Sequence, residues 1–357
     1  MELSPSPSIA LDSQVGGHGG ILSSSDGAVI IKPCLPLEAA FYKTLSSNEM
    51  YSQLASIVPR FYGTLTLHGR LDESGNIISE PEGGGDTPLL DVSETEKDEP
   101  LMFFVIFLEN LTHTFAKPNV IDMKLGTVLW SDDATPDKRL RMERSAQETT
   151  SLETGIRLTG FNVFDYTEGK VINATRAYGK SLKKQDLPTG IAKCFPLAIS
   201  TSDVPQGQGL PKELLKQVLE GIIIEIKEII DILKRVDVCM VGTSLLIIYE
   251  ADWDILKRTL LDWPSKKIEV STTFDVEDEE KEEEEAQYLL NEHDIAEDED
   301  DESEGNEDTR SPYIVKLIDF AHTSLKKRKD TGVILGLETT LELLTGRLKE
   351  ISDTSPI

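Results

Sequence analysis

Asp122 and Lys124 stand two residues apart in Pro118-Asn119-Val120-Ile121-Asp122-Met123-Lys124-Leu125-Gly126. On an extended segment residues i and i+2 point the same way, so an acid and a base share one face. A surface ion pair on a strand is the simplest use of that spacing. Two later segments point to more. Gly242-Thr243-Ser244-Leu245-Leu246 sets small hydroxylated residues ahead of an apolar strand, and Ile318-Asp319-Phe320-Ala321-His322 ends an apolar strand on an acid. A carboxylate at a strand end is one way to hold a divalent cation against phosphates.

The elements that must position these residues alternate between strand-like and helix-like runs. Ala28 to Lys32 is a short β-branched run after Ser-Asp-Gly, a turn followed by a strand. Leu37 to Met50 reads as a helix, and Phe61 to Leu67 and Leu101 to Leu108 as strands. Thr135-Pro136-Asp137 supplies an N-cap, a first-turn proline and a first-turn acid for a helix reaching about Ala146. Pro211 to Arg235 reads as a long helix, apolar on most faces and therefore buried. Leu245 to Tyr249 and Tyr313 to Phe320 are strands. Leu337, Leu341, Leu344, Leu348 and Ile351 fall at helical spacing in an amphipathic terminal helix. No internal repeat is visible.

The chain has 357 residues and a formal charge of −28, from 36 basic and 64 acidic residues. Such a balance excludes nucleic-acid binding driven by a broad basic surface. The charge is uneven. From Asp275 to Asp308 there are 20 acidic residues and one lysine, a net −19, which leaves −9 for everything else. Residues 270–311 are thus an acidic insert too poor in apolar groups to support a core, and disorder is expected there. Residues 1–10 and 71–100 also read as non-globular, the latter as a loop around Gly83-Gly84-Gly85. Cys34, Cys194 and Cys239 are odd in number and lack metal-binding spacing, which argues for a reducing compartment and against a disulfide framework. No secretory signal and no stable membrane anchor are read from the sequence, since Leu101 to Leu108 is too short to span a bilayer.

Taken together, the Asp122/Lys124 segment, the Thr243-Ser244-Leu245-Leu246 segment and the Ile318-Asp319-Phe320 segment resemble the inositol polyphosphate kinase family, whose pattern is PxxxDxKxG, then SSLL, then IDF. The resemblance covers roughly residues 11–70, 101–270 and 311–350. Within the family it is nearest the multikinase subgroup, through the compact chain and the Ile318 to Thr323 segment with its histidine. Gln14-Val15-Gly16-Gly17-His18 is similar to the family's nucleotide-covering segment and Leu335-Gly336-Leu337 to its closing helix. The resemblance implies an α+β, two-lobed kinase-like fold with antiparallel sheets and a cleft between lobes. Residues 1–108 would form the N-lobe. Residues 109–357 would form the C-lobe, with inositol-binding helices at about 131–200.

What the resemblance implies for single residues follows position by position. Lys32 would hold ATP phosphates, with Glu38 as its pairing acid. Glu109 and Leu111 would be the hinge, bonding adenine through the Glu109 carbonyl and the Leu111 N–H. Asp122 would contact the ribose. Lys124 would sit where the transferred phosphoryl meets the inositol phosphate, a sensible place for a point charge because phosphoryl transfer asks mainly for positioning and charge neutralisation. Asp319 would hold Mg²⁺, and Ser244 would add a second oxygen ligand or a phosphate contact. Lys138, Arg141 and Arg144, spread over about 120° of one helical face, would bind the substrate phosphates, with His322 as a further donor. From charge alone that helix face reads equally well as a solvated one. No separate catalytic base is apparent.

Two departures from the pattern bear on regiochemistry. No arginine lies between Lys32 and Glu38, and Asn162 stands where some relatives are basic; Lys180, Lys183 and Lys184 form a run that reads more simply as solvated. The expected reaction is phosphorylation of inositol trisphosphate to tetrakisphosphate to pentakisphosphate with ATP and Mg²⁺, by a monomer in nucleus and cytoplasm. Alternatives are an inositol hexakisphosphate kinase or a trisphosphate 3-kinase of the same family, and, from another class, an acidic nuclear scaffold that binds basic proteins through the insert. If the strands flanking the insert pair antiparallel, Ser244 and Asp319 lie at the end away from it, with its base roughly 20 Å from the metal. A segment of about 40 residues has a reach of roughly 35 Å, so its tip would still come near the site.

Overall fold

The computed structural model describes residues 9–10, 21–71, 77–79, 101–198, 207–261, 263, 310–325 and 328–354. The first part builds an antiparallel sheet from β1 (Ile9–Ala10), β2 (Leu22–Ser23), β3 (Val29–Cys34), β4 (Phe61–Leu71), β5 (Ile77–Ser79) and β6 (Leu101–Glu109). Their order in space is β1-β2-β3-β6-β4-β5. Helix α1 (Pro36–Ser47) follows β3 and opens on a proline, whose fixed φ suits the first turn and whose missing N–H is not needed there. The expected helix over Leu37–Met50 stops at Ser47: Asn48 is extended, and its side chain accepts from the Met50 N–H to open a short 3₁₀ turn. Helix α2 (Ser52–Ala55) then leads into β4. Residues 71–100 are not all loop, because Ile77 and Ile78 pair with Leu71 and Arg70 of β4. Two adjacent β-branched residues favour the extended backbone despite their Gly- and acid-rich surroundings.

The second part continues with β7 (Pro118–Leu125), α3 (Pro136–Glu148), α4 (Ser151–Thr154), β8 (Ile156–Asp165), β9 (Lys170–Ala174), α5 (Arg176–Ser181), α6 (Leu187–Cys194) and α7 (Lys212–Arg235). After it come β10 (Cys239–Val241), β11 (Ser244–Glu250), helix α8 over residues 253–261, β12 (Tyr313–Ile318), β13 (His322–Ser324) and α9 (Thr331–Asp353). Five of the strands form an antiparallel sheet ordered β12-β11-β7-β8-β9, and β10 pairs with β13.

Alternation along these strands sorts their side chains. Ile121, Met123, Leu125, Leu245, Ile247, Val315 and Leu317 face a core shared with α7 and α9. The opposite face carries Val120, Asp122, Lys124, Ser244 and Leu246, and the linker after β6 packs Leu111 and Phe115 against it. Helix α7 is amphipathic rather than apolar on most faces. Leu215, Leu219, Ile222, Ile226, Ile229 and Leu233 are buried, while Glu213, Glu220, Lys227 and Asp231 are exposed along with Ile224. Helix α9 buries Leu337, Leu344 and Ile351 completely. It crosses α4 at Gly155 and Gly336, where a Cβ added to Gly336 would lie 2.3 Å from the Gly155 carbonyl oxygen. Gly155 also takes φ 70°, a left-handed conformation that closes α4 at little cost for glycine alone.

Bonds from the end of β12 to the turn after α2 join the two parts besides the β6–β7 linker. The Leu317 N–H donates to the Ile57 carbonyl at 2.8 Å, and Lys316 Nζ donates to the Ser56 carbonyl. The strand expected over Tyr313–Phe320 ends at Ile318, because Asp319 turns left-handed with φ 66°. In register, Ser244 faces Ile318 and Tyr249 faces Tyr313, so the end of β11 that leads to the acidic insert lies opposite Ser244. The insert itself, up to residue 309, and the Gln14 to His18 segment lie outside the described residues. No helix among the described residues is long and apolar enough to cross a membrane.

Candidate active site

Lys32 projects from β3 toward the first turn of α1 and the end of β12. Its Nζ lies 2.9 Å from Glu38 Oε1 and 2.7 Å from Asp319 Oδ1. The Glu38 carboxylate is almost fully buried and also accepts the Phe320 N–H at 3.3 Å. Burial opposes the charge on Lys32, yet Asp319 and Glu38 together raise its pKa well above the usual lysine value. Asp319 is the one non-glycine with positive φ among the described residues, and Thr243 Oγ1 donates to its carbonyl at 3.2 Å. A left-handed aspartate is uncommon, and it persists where surrounding bonds hold it.

Asp122 and Lys124 lie on the cleft face of β7. Lys124 faces Ser244 across the β7–β11 pair, and its Nζ donates to the Gly242 carbonyl at 2.8 Å. Gly242 has φ 85°, a conformation that glycine adopts readily, ahead of the Thr243-Ser244 run. Burial lowers the Lys124 pKa; Asp319 and Asp122 oppose that, while Arg157 and Arg176 add to it. Asp122 is 5% exposed, and its Oδ1 is buried without a hydrogen-bond partner. Burial first, and then the nearby Asp319 charge, push its pKa up to about 6, with Ser244 and Lys124 pulling the other way. Ser244 is buried, and the hydroxyl expected to join Asp319 at a metal lies close enough to Asp122 to act on its pKa.

At the linker, the Glu109 N–H donates to the Arg60 carbonyl and the Asn110 N–H to the Ala28 carbonyl, both at 2.9 Å. The Glu109 side chain turns back to accept the Arg60 N–H at 3.2 Å, so any contact with a base in the cleft falls to its backbone. Leu111, Phe115, Val120 and Ile248 then form a small apolar cluster, with the partly buried Leu246 and Ile318 packed against it. The sequence reading did not single out this apolar surface, although alternation along β11 marks Leu246 and Ile248 as its members.

Helix α3 starts as its cap predicts, with Thr135 Oγ1 accepting the Lys138 N–H at 3.3 Å. Lys138 is half-buried, whereas Arg141 and Arg144 are exposed. Lys138 lies close enough to His322 to help lower its pKa, behind burial as the larger cause, with Asp133 opposing. The sequence reading missed Arg139, whose guanidinium sits 3.9 Å from the centre of the Trp130 ring. It also missed Arg157 and Arg176, which converge near Asp122. In the Lys180 to Lys184 run, Lys183 donates to the Glu148 carbonyl and Lys184 pairs with Glu153 at 2.9 Å. Asn162 is buried and accepts from Asn173 Nδ2 at 2.7 Å.

The arrangement suits a nucleotide and a divalent cation. An orphaned buried carboxylate oxygen on Asp122 lacks a hydroxyl donor such as a ribose supplies. Among the described residues no three His, Cys, Asp or Glu groups cluster to cage a metal. A cation held largely by phosphates needs only one or two carboxylates. Asp319, about a third exposed beside Lys32, is the carboxylate placed to serve.

Comparison with known proteins follows the same line. The family model described as inositol polyphosphate kinase matches residues 105–345. The inositol polyphosphate multikinase of Saccharomyces cerevisiae is 29% identical over 368 residues, covering 93% of this chain and 96% of that one. The multikinase of Schizosaccharomyces pombe is 35% identical over 182 residues, 51% of this chain and 61% of its own. Inositol hexakisphosphate kinase 2 of Oryctolagus cuniculus is 28% identical over 263 residues, 70% of this chain and 52% of its own. A crystal structure of the S. cerevisiae multikinase in complex with ADP and Mn²⁺ superposes with a TM-score of 0.56 at 23% identity, covering 90% of this chain and 100% of that one. It supports the two-lobed α+β kinase-type fold. With the family model spanning well over half of the sequence, the chain belongs to the inositol polyphosphate kinase family.

Proposed function

We propose that the chain is an ATP- and Mg²⁺-dependent multikinase that carries inositol trisphosphate through tetrakisphosphate to pentakisphosphate. One observation carries the reading: Lys32, from the first sheet, and Asp319, at the end of the second, meet at 2.7 Å beside Lys124 and the orphaned Asp122. That is an acid, two lysines and a hydroxyl acceptor gathered in one cleft of an otherwise acidic chain. The S. cerevisiae relative solved with ADP and Mn²⁺ supports a nucleotide and a divalent cation. Magnesium is the expected ion, held by Asp319, and when bound it neutralises phosphate charge.

The protein's own groups do the rest. The partly exposed Leu246 and Ile318, packed against buried Leu111 and Val120, offer an apolar contact for the base, and Asp122 Oδ1 accepts a ribose hydroxyl. Lys32 balances phosphate charge while Glu38 keeps it in place. Lys124, tethered by the Gly242 carbonyl, faces the transferred phosphoryl and needs no reorganisation to do so. Lys138 and His322 flank the acceptor side. The insert is a solubilising or basic-protein-binding segment, and nucleus and cytoplasm are the compartments proposed.

The test is incubation with Mg-ATP and inositol tris-, tetrakis-, pentakis- and hexakisphosphates, with products resolved by chromatography, alongside Lys124→Ala. Turnover confined to the hexakisphosphate would favour the pyrophosphate-forming alternative suggested by the 28% identical relative. No turnover on any inositol phosphate leaves the scaffold reading. Undiminished activity in Lys124→Ala would remove the site assignment.

A further inference from the structure

We propose that Arg157 is the acceptor-side anion contact of this site, holding a phosphate of the inositol polyphosphate beside the hydroxyl that is phosphorylated. The inference rests on the function proposed above and adds to it a residue that the sequence motifs do not mark. Arg157 follows the first residue of β8 and stands opposite Lys124 in the β7–β8 pair. The register across four neighbouring strands therefore runs Ile318, Ser244, Lys124, Arg157. Directly opposed residues in an antiparallel sheet share a face, so these four form one row, with Asp319 next to its first member.

Spacing assigns the ends of that row. Strands lie ~4.8 Å apart, which puts Lys124 roughly 10 Å from β12 and Arg157 one strand farther. The nucleotide phosphates belong at the Asp319 and Lys32 end. A cation beyond Lys124 then meets the molecule that receives the phosphoryl group, not the one that gives it.

The state of the guanidinium supports an anionic guest. Arg157 is half-buried, and among the described residues its guanidinium makes no hydrogen bond or ion pair. Asp122 lies within its field and yet does not pair with it, while Arg176 and Lys124 are like charges close by. A half-buried charge whose donors have no acceptor is costly. The planar fork of an arginine is matched by a phosphate that accepts two parallel N–H bonds, which a lysine cannot offer.

The experiment is steady-state kinetics of Arg157→Gln and Arg157→Lys, with the KM for inositol trisphosphate and the KM for ATP measured separately and thermal unfolding recorded for each protein. Arg157→Gln is expected to raise the inositol trisphosphate KM by about ten- to a hundredfold, the range of a charge-assisted hydrogen bond, with the ATP KM within about threefold of wild type. Arg157→Lys should fall between, since it keeps the charge and loses the fork; it also carries the test if the glutamine variant does not fold. Equal rises in both KM values, or no change in either, would overturn the proposal. Wild-type protein inactive on every inositol phosphate would instead overturn the function on which the proposal rests.

Discussion

Lys32 and Asp319 are 287 residues apart in the chain and meet with Nζ and Oδ1 at 2.7 Å. Glu38 holds the same ammonium from the other side and ties down the Phe320 N–H, so one acid fixes both the lysine and the backbone that presents Asp319. The three residues act as a unit. Asp319→Asn and Lys32→Met are each expected to lower kcat by roughly a hundred- to a thousandfold. The double variant should be far less impaired than the product of the two, because groups that work as a unit lose their function together. Multiplicative losses in a double-mutant cycle would show that the pair is incidental.

Asp122 gives a pH signature in the nucleotide-free protein. Its pKa is pushed up to about 6 from an ordinary 3.8, so the folded state binds this proton more tightly than the unfolded chain does. Stability from this group is therefore intact below pH 4, lost between about pH 4 and 6, and absent above. The penalty at neutral pH is on the order of 3 kcal/mol. Asp122→Asn should raise Tm at pH 7.5, have little effect at pH 4, and raise the KM for ATP. A Tm difference that does not change with pH would show that the residue is not strained by its charge.

Gly336 tests the crossing of α4 and α9. An added methyl would press on the Gly155 carbonyl, which is backbone and has no rotamer to retreat into. Gly336→Ala should destabilise by about 1–3 kcal/mol in urea unfolding, while Gly346→Ala, on the same helix with open space around it, should not. Equal stabilities for the two would refute the close packing.

The acidic insert should be dispensable for turnover. The register of β11 with β12 sets Tyr249 and Tyr313 at one end and Ser244 and Ile318 at the other, next to Asp319. Replacing residues 275–308 with a short Gly/Ser linker is expected to leave kcat within about twofold at physiological salt, where charge effects fade beyond ~8 Å. A hundredfold loss would assign the insert a part in catalysis.

Much of this was legible in the sequence because the signals were local. Thr135-Pro136-Asp137 caps its helix through a bond three residues long, and the Asp122/Lys124 face follows from a period of two. Arg157 was not legible for a physical reason. The β7–β8 pairing slips between Asp122 and Met123, leaving Thr159 as an extra residue in β8. That slip decides which residue of β8 meets Lys124, and no periodicity within a single strand reports it. Residues 71–100 misled in another way, since a stretch averaged over its glycines and acids hid the paired isoleucines. Helix α7 looked apolar on most faces because its runs of isoleucine outweigh the evenly spaced Glu and Lys that keep one stripe wet. The meeting of Lys32 with Asp319 rests on a contact spanning most of the chain; the family resemblance paired Lys32 with Glu38 and set Asp319 at the metal, without bringing the two together.

The bond from Leu317 to Ile57, with Lys316 on Ser56, changes the mechanics of the cleft. Joined at the β6–β7 linker alone, two rigid halves could tilt and twist about that point in three independent ways. A second point of attachment removes two of those freedoms. Glu38 on the Phe320 N–H, with the Phe320 ring stacked on Phe41, is a third point, and it resists the rotation that two points leave. The lysine of one half and the aspartate of the other are therefore held together before any substrate arrives.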